Sequence, residues 1–274
     1  MSTNHWLDVP GARLYYEVQG SGPVVMLVGH PMDSAGFAAI ASVLASDHTV
    51  VTYDPRGFGK STIEDRDQDA EPDLIADDVF LVLDVVGHGP AHVFGSSGGA
   101  VTALALAVRH PSSVRTIVAH EPPLAAFLPE AEEAERGSRE VYDAYRTGGA
   151  MVAWQRFMAF TGIQMRPPAN APPMDSAAAA RAAARAAATS DRFFGHSLLP
   201  VTLYRPDLAA LQRPSPRVVI AAGAASKGQY PQRAAVALAE RLGTSVIEFP
   251  GGHAGFTTDP QAFASVLRRT LAGR

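Results

Sequence analysis

Three side chains in this sequence could together perform nucleophilic catalysis. Ser97 sits in Gly95-Ser96-Ser97-Gly98-Gly99, His253 in Pro250-Gly251-Gly252-His253-Ala254-Gly255, and Glu121 in His120-Glu121-Pro122-Pro123. A serine hydroxyl is a weak nucleophile at neutral pH. It needs a base within hydrogen-bond reach, and the base needs a third group to orient it. The first segment fits G-x-S-x-G centred on Ser97, between the β-branched and aromatic run Ala91-His92-Val93-Phe94 and the helix-forming series Ala100 to Val108. On such a sharp strand-to-helix turn the nucleophile's backbone is strained. The residues two before and two after it must then lack side chains that would strike the neighbouring strand and helix. Ser96 fails this test, since Phe94 precedes it by two; Ser97 passes. The competing reading is a Gly/Ser turn that cradles a phosphate.

His253 follows a late strand and precedes the last helix, so its loop lies at the carboxyl edge of a parallel sheet, where catalytic groups gather. His110 precedes a proline at a helix end, His88 and His92 flank Gly-Pro, and His5 is terminal; each reads as a surface or capping histidine. His196 falls in a different segment, where lining a pocket and simple packing are both open. The choice of orienting acid is narrowed by an absence. No carboxylate lies between Asp207 and Glu240, so the loop after the strand Arg217–Ala221 cannot supply one. Glu121 directly follows the strand Arg115–Ala119 and is favoured; a Ser–His dyad with Glu121 as a local cap is the alternative. An oxyanion hole requires two N–H donors. Gly98 would supply one from the partly positive start of a helix. The other would come from the loop after Val24–Val28, with His30 first and Met32 second, because Pro31 has no N–H.

The elements that must hold these groups can be read from apolar patterning. The predicted strands include Val24–Val28, a continuous apolar run suited to burial on both faces, then Thr49–Tyr53, Arg217–Ala221 and Ser245–Phe249. Helices are expected at Gly36–Ala45, Asp73–Val86 with Gly87 as its stop, Pro231–Leu242 and Pro260–Leu271. From Leu124 to about Pro206 the β/α rhythm breaks into helical segments, Glu130–Arg146, Ala150–Phe160 and Ser176–Thr189, separated by Gly148-Gly149, Pro167-Pro168 and Pro172-Pro173. The expected organisation is an α/β core from residues 1–123 and 207–274, with a helical cap inserted at 124–206. The cap carries Phe127, Tyr142, Trp154, Phe157, Met158, Phe160, Met165, Phe193 and Phe194, of which only some would face a substrate. Gly57 and Gly59, in Asp54-Pro55-Arg56-Gly57-Phe58-Gly59-Lys60-Ser61, read as a structural turn in preference to a nucleotide site.

Composition bounds the function. Of 274 residues, 47% are hydrophobic and 18% charged, so a sizeable core is expected. The net charge of −4, with no basic block, argues against nucleic acid. There is no cysteine, which removes disulfides, thiolate metal sites and a cysteine nucleophile together. The start shows no secretory signal, and no apolar run approaches the roughly 20 residues that span a bilayer. The expectation is a cytoplasmic protein with no membrane, metal or cofactor, acting on an apolar small molecule; nothing in the sequence speaks to oligomeric state.

Taken together, G-x-S-x-G, the Gly29-His30-Pro31 loop, Asp54-x-Arg56-Gly57-x-Gly59-x-Ser61 and the late loop histidine make the chain resemble the α/β-hydrolase superfamily over nearly its whole length. The resemblance is to the small bacterial type with the acid after the sixth strand. It implies an α/β-hydrolase fold, with a mostly parallel eight-stranded sheet, a helical cap, and the order nucleophile, acid, histidine, which Ser97, Glu121 and His253 match. Two positions depart from the pattern. Val28 stands where many members have His, and Ser226 lies near the usual acid position. The activity implied is serine hydrolysis of an ester, thioester or lactone. A cofactor-free lyase, C–C hydrolase or cyclase, or a binder without turnover, stays open on these residues.

Overall fold

In the computed structural model, residues 2–87, 89–164 and 175–273 are described. His88, Met165 and the two proline pairs at 167–168 and 172–173 lie outside them. The chain forms strands β1 (Thr3–Val9), β2 (Ala12–Gly20), β3 (Val24–Val28), β4 (Thr49–Tyr53), β5 (Thr62–Ile63), β6 (Ala91–Ser96), β7 (Val114–His120), β8 (Arg217–Gly223) and β9 (Ile247–Phe249). They build one sheet in the order β1-β2-β4-β3-β6-β7-β8-β9. From β4 to β9 neighbouring strands run parallel. The two-residue β5 pairs antiparallel with β2 at its edge, one strand beyond the expected eight.

The continuous apolar run of β3 behaves as its composition demands. Every residue is buried, and the two-residue period of a strand sends alternate side chains to opposite layers. Val24, Met26 and Val28 join a core with Ile75, Val79, Val101 and Leu104, under helices Pro72–Val86 and Gly98–Arg109. Val25 and Leu27 join the opposite core with Phe37, Ile40, Phe94 and Phe263, under helices Ala38–Leu44 and Pro260–Leu271. The result is a three-layer α/β sandwich.

Element ends differ from the sequence reading where packing or pairing intervenes. The helix expected from Gly36 opens as a 3₁₀ turn, Ser34–Phe37, whose start is capped by the Asp33 carboxylate accepting from the Ala35 N–H at 3.1 Å. β9 covers only Ile247–Phe249, because β8 offers it just Ala221 to Gly223 as partners. Between β7 and β8 the helical run Ala131–Thr161 is interrupted at Gly149, whose φ of 75° and ψ of −178° are not helical, so Gly148-Gly149 separates two helices as the sequence reading has it. The alanine-rich helix extends past Thr189 to His196, since Phe193 and Phe194 bury in an aromatic cluster with Trp154 and Phe157. Among the described residues no helix is long and apolar enough to cross a membrane.

The Gly57/Gly59 loop is structural. The Asp54 carboxylate accepts from Ser34 N at 2.8 Å and Lys60 N at 2.7 Å, and a Cβ on Gly59 would sit 2.3 Å from that carboxylate. The buried Arg56 donates from Nε and Nη2 to the two oxygens of Asp78, each at 2.6 Å, tying the loop to the helix beneath it. Ser61 Oγ donates to Asp54 O at 2.6 Å and accepts from Tyr15 N at 2.9 Å, which closes the turn against β2.

Candidate active site

Steric necessity accounts for the turn around Ser97. A Cβ on Gly95 would lie 2.3 Å from Gly99 O, and one on Gly99 would lie 2.0 Å from Val28 O. Neither backbone oxygen can retreat, because strand and helix cross there. Ser97 itself holds φ 56° and ψ −124°, a conformation that L residues seldom adopt. Its N–H donates to His120 O at 2.9 Å, which anchors the turn to the neighbouring strand. Ser96, one residue earlier, is still in β6, paired with His120 and buried.

That pairing carries the acid to the same edge. The residue after His120 is Glu121, the other non-glycine residue with positive φ (52°) among those described. Its N–H donates to Ala221 O at 2.9 Å, and its side chain is fully buried. One carboxylate oxygen, Oε2, lies 2.5 Å from His253 Nδ1; the other accepts the Gly223 N–H at 2.9 Å. Gly223 ends β8, so the strand whose following loop lacks an acid contributes an amide that steadies the acid of β7. Burial alone would raise the Glu121 carboxyl. The His253 hydrogen bond, the nearby His120 and His253 rings and the Gly223 amide outweigh it and bring its pKa down to about 2. The group is a carboxylate at any working pH.

His253 reaches Glu121 because its loop folds tightly onto β8. Gly251 O accepts from Ala225 N at 2.8 Å, and a Cβ on Gly223 would lie 2.6 Å from Gly252 O. With Nδ1–H directed at a carboxylate, the neutral ring presents the Nε2 lone pair. Ser97, His253, His30 and Gly98 border one cavity of about 320 Å³. Gly98 is pressed against the His30 main chain, where a Cβ would meet His30 O at 2.7 Å. Met32, the second choice for an oxyanion donor, borders the cavity as well. The His30 ring is neutral: burial first, then the charge of Arg192, lowers its pKa to about 3.

Among the described residues the other candidate histidines stand apart from this cavity. His196 Nδ1 lies 3.2 Å from Asp69, outside the cavity lining. His110 ends its helix, 2.7 Å from Asp77, and stacks on Phe80. His5 bonds Thr3 on the first strand. Of the aromatic and methionine residues singled out between 124 and 206, Trp154, Phe157, Met158, Phe160 and Phe193 border the cavity, whereas Phe127, Tyr142 and Phe194 pack elsewhere. The sequence reading overlooked Tyr230, which borders the cavity from the start of helix Tyr230–Arg241. Its place just beyond the carboxyl end of a parallel strand was the available signal.

Fold, edge and elbow define a class, and the comparisons agree with it. The chain belongs to the alpha/beta hydrolase fold family, whose sequence profile matches residues 22–260, and it is an enzyme of that family. It is 33% identical over 275 residues to the uncharacterized hydrolase YraK of Bacillus subtilis, an alignment covering 98% of this chain and 96% of that one. A thermophilic esterase from Thermogutta terrifontis has the same fold, with a TM-score of 0.72 at 20% identity over 99% of this chain and 98% of that one. A putative epoxide hydrolase from Pseudomonas aeruginosa gives 0.70 at 20% identity, over 99% and 96%.

Proposed function

We propose that the chain is a serine hydrolase that cleaves an ester, thioester or lactone of a moderately apolar small molecule through Ser97, His253 and Glu121. The observation that carries this reading is the 2.5 Å contact between His253 Nδ1 and the Glu121 carboxylate, on the wall of the cavity that holds Ser97. In the proposed reaction Ser97 Oγ attacks the carbonyl carbon while His253 Nε2 takes its proton. The carbonyl oxygen becomes an oxyanion facing the N–H groups of His30 and Gly98. As the tetrahedral adduct collapses, the imidazolium returns the proton to the departing oxygen or sulfur, leaving an acyl-Ser97. Water, deprotonated by His253, repeats the sequence and releases the acid. Glu121 holds the tautomer and offsets the charge on the ring throughout. Nucleophile, base, orienting acid and oxyanion donors all come from the chain, so the reaction calls for no metal or cofactor.

In this reading residues 124–206 are a cap, and Trp154, Phe157, Met158 and Phe193 exclude water from the acyl-enzyme and select apolar groups. Serine at the elbow favours acyl transfer over epoxide opening, for which a carboxylate nucleophile would stand there. The test is covalent trapping with a fluorophosphonate, read by peptide mass spectrometry, beside hydrolysis of p-nitrophenyl butyrate. The label is expected on Ser97. S97A should lose both label and turnover, and S96A should keep most of each. Labelling of Ser96, or full turnover by S97A, contradicts the proposal.

A further inference from the structure

The active-site cavity has a neighbour of a different chemical character. A second cavity, about 440 Å³, lies beside it, and Phe160, Thr161 and Tyr230 line both. These three side chains are the partition. Two of them are tied down: Thr161 Oγ1 donates to Phe157 O at 2.8 Å, and the Tyr230 hydroxyl donates to Pro123 O at 3.1 Å. Phe160 has no polar atom to anchor. Its ring lies against Tyr230 with centroids 4.7 Å apart and rests on Gly137, where a Cβ would come within 2.3 Å of Phe160 Cε2. Gly137 therefore leaves the space the ring occupies. Phe160 is half-buried and is held by packing alone.

Beyond the partition the walls turn polar. Glu130, Glu133, Glu140, Arg136 and Arg233 line the second cavity, with Glu130 paired to Arg233 and Glu140 to Arg136. An alkyl chain gains by staying among the aromatic walls of the first cavity and gains nothing among these ion pairs. A hydroxylated chain end is at home there.

The geometry points to Phe160 as a specificity-determining residue: its ring limits the chain length that the apolar cavity holds, and the polar cavity behind it accepts the hydroxylated end of a longer chain. The assignment rests on the acyl-transfer reading above and deepens it. The substrate class is an amphipathic acyl compound whose carbonyl sits at Ser97 and whose polar end reaches past Phe160.

The experiment compares p-nitrophenyl butyrate, decanoate and 10-hydroxydecanoate on the wild-type chain, F160A and F160W. Removing the ring should raise the 10-hydroxydecanoate-to-butyrate ratio of kcat/KM by at least about tenfold, mainly through KM, with decanoate gaining less because its end meets only ion pairs. F160W should lower that ratio, and the hydroxylated ester should outperform decanoate in the wild-type chain. Equal factors on all three esters in F160A would make Phe160 a packing residue and overturn the assignment. Calorimetric binding of the butyrate, decanoate and 10-hydroxydecanoate anions yields the same ratios without chemistry. A Ser97 that resists the fluorophosphonate therefore sinks the hydrolase reading while calorimetry still decides the role of Phe160. A labelled Ser97 with an unmoved length ratio sinks the partition alone.

Discussion

Replacing Glu121 by glutamine keeps the shape of the side chain and removes its charge, and the two hydrogen bonds of the carboxylate decide the consequence. In the wild type, one oxygen accepts from Gly223 N and the other faces His253 Nδ1. The glutamine amide has one acceptor and one donor end. With its oxygen on Gly223, its NH₂ meets Nδ1, so the imidazole must carry its proton on Nε2, the atom that should deprotonate Ser97. The flipped amide restores the tautomer but sets NH₂ against the Gly223 N–H and leaves that buried donor unpaired. Such a group costs about 1–3 kcal/mol, a bias of roughly 5- to 150-fold toward the wrong tautomer. Loss of the charge that stabilises the imidazolium adds to this. The corresponding change in a serine-protease triad lowers kcat by about 10⁴. We expect kcat for p-nitrophenyl butyrate to fall roughly 10²- to 10⁴-fold in E121Q, with KM changed far less, because orientation of the base acts on the transition state. Circular dichroism would establish that the variant is folded. A folded E121Q with kcat within about threefold of wild type refutes the reasoning, whatever the 2.5 Å contact suggests.

Two further predictions concern stability. Arg56 and Asp78 form a buried pair, each only 1% exposed, so R56M should strand a carboxylate and lower the urea unfolding free energy by about 3–5 kcal/mol. The double variant R56M/D78L should recover most of that; a cost below about 1 kcal/mol in R56M alone would show that the pair is not what holds the loop. Acid sensitivity is the other. Burial, helped by Arg192 for His30 and by His253 for His120 against the opposing Glu121, depresses these rings to about 3 and about 4. In the unfolded chain both titrate near 6.5, so below that pH the unfolded state binds more protons and stability falls as pH falls toward 4. Glu121, at about 2 when folded, adds the same sign of dependence at lower pH: its contribution is complete above about 4.5 and is lost as pH drops toward 2. The urea midpoint should therefore decline from pH 6.5 to 4 with a shallower slope in H120Q; an unchanged slope would mean that His120 does not contribute.

What the sequence determined by itself is whatever depends on near neighbours in the chain. The glycines at 95 and 99 specify Ser97 over Ser96 because the clash they avoid, with Gly99 O and Val28 O, is built into any strand-to-helix turn of that sharpness. Val24–Val28 announces a strand buried on both faces, and Gly148-Gly149 announces the break between two helical segments, for equally local reasons. The proposed orienting carboxylate, Glu121, was legible by elimination, since the loop after β8 carries none. Its contact with His253 was not, because the two are 132 residues apart and meet only where β7 and β8 pair and the His253 loop lies on Gly223. The same limit explains the aromatic residues. Trp154, Phe157 and Phe160 face the cavity while Tyr142 and Phe194 do not, yet all recur at ordinary helical spacing. Periodicity establishes that a helix has an apolar side. Whether that side meets another helix or an open cavity depends on the side chains packed against it from distant parts of the chain, and only the folded structure brings those together.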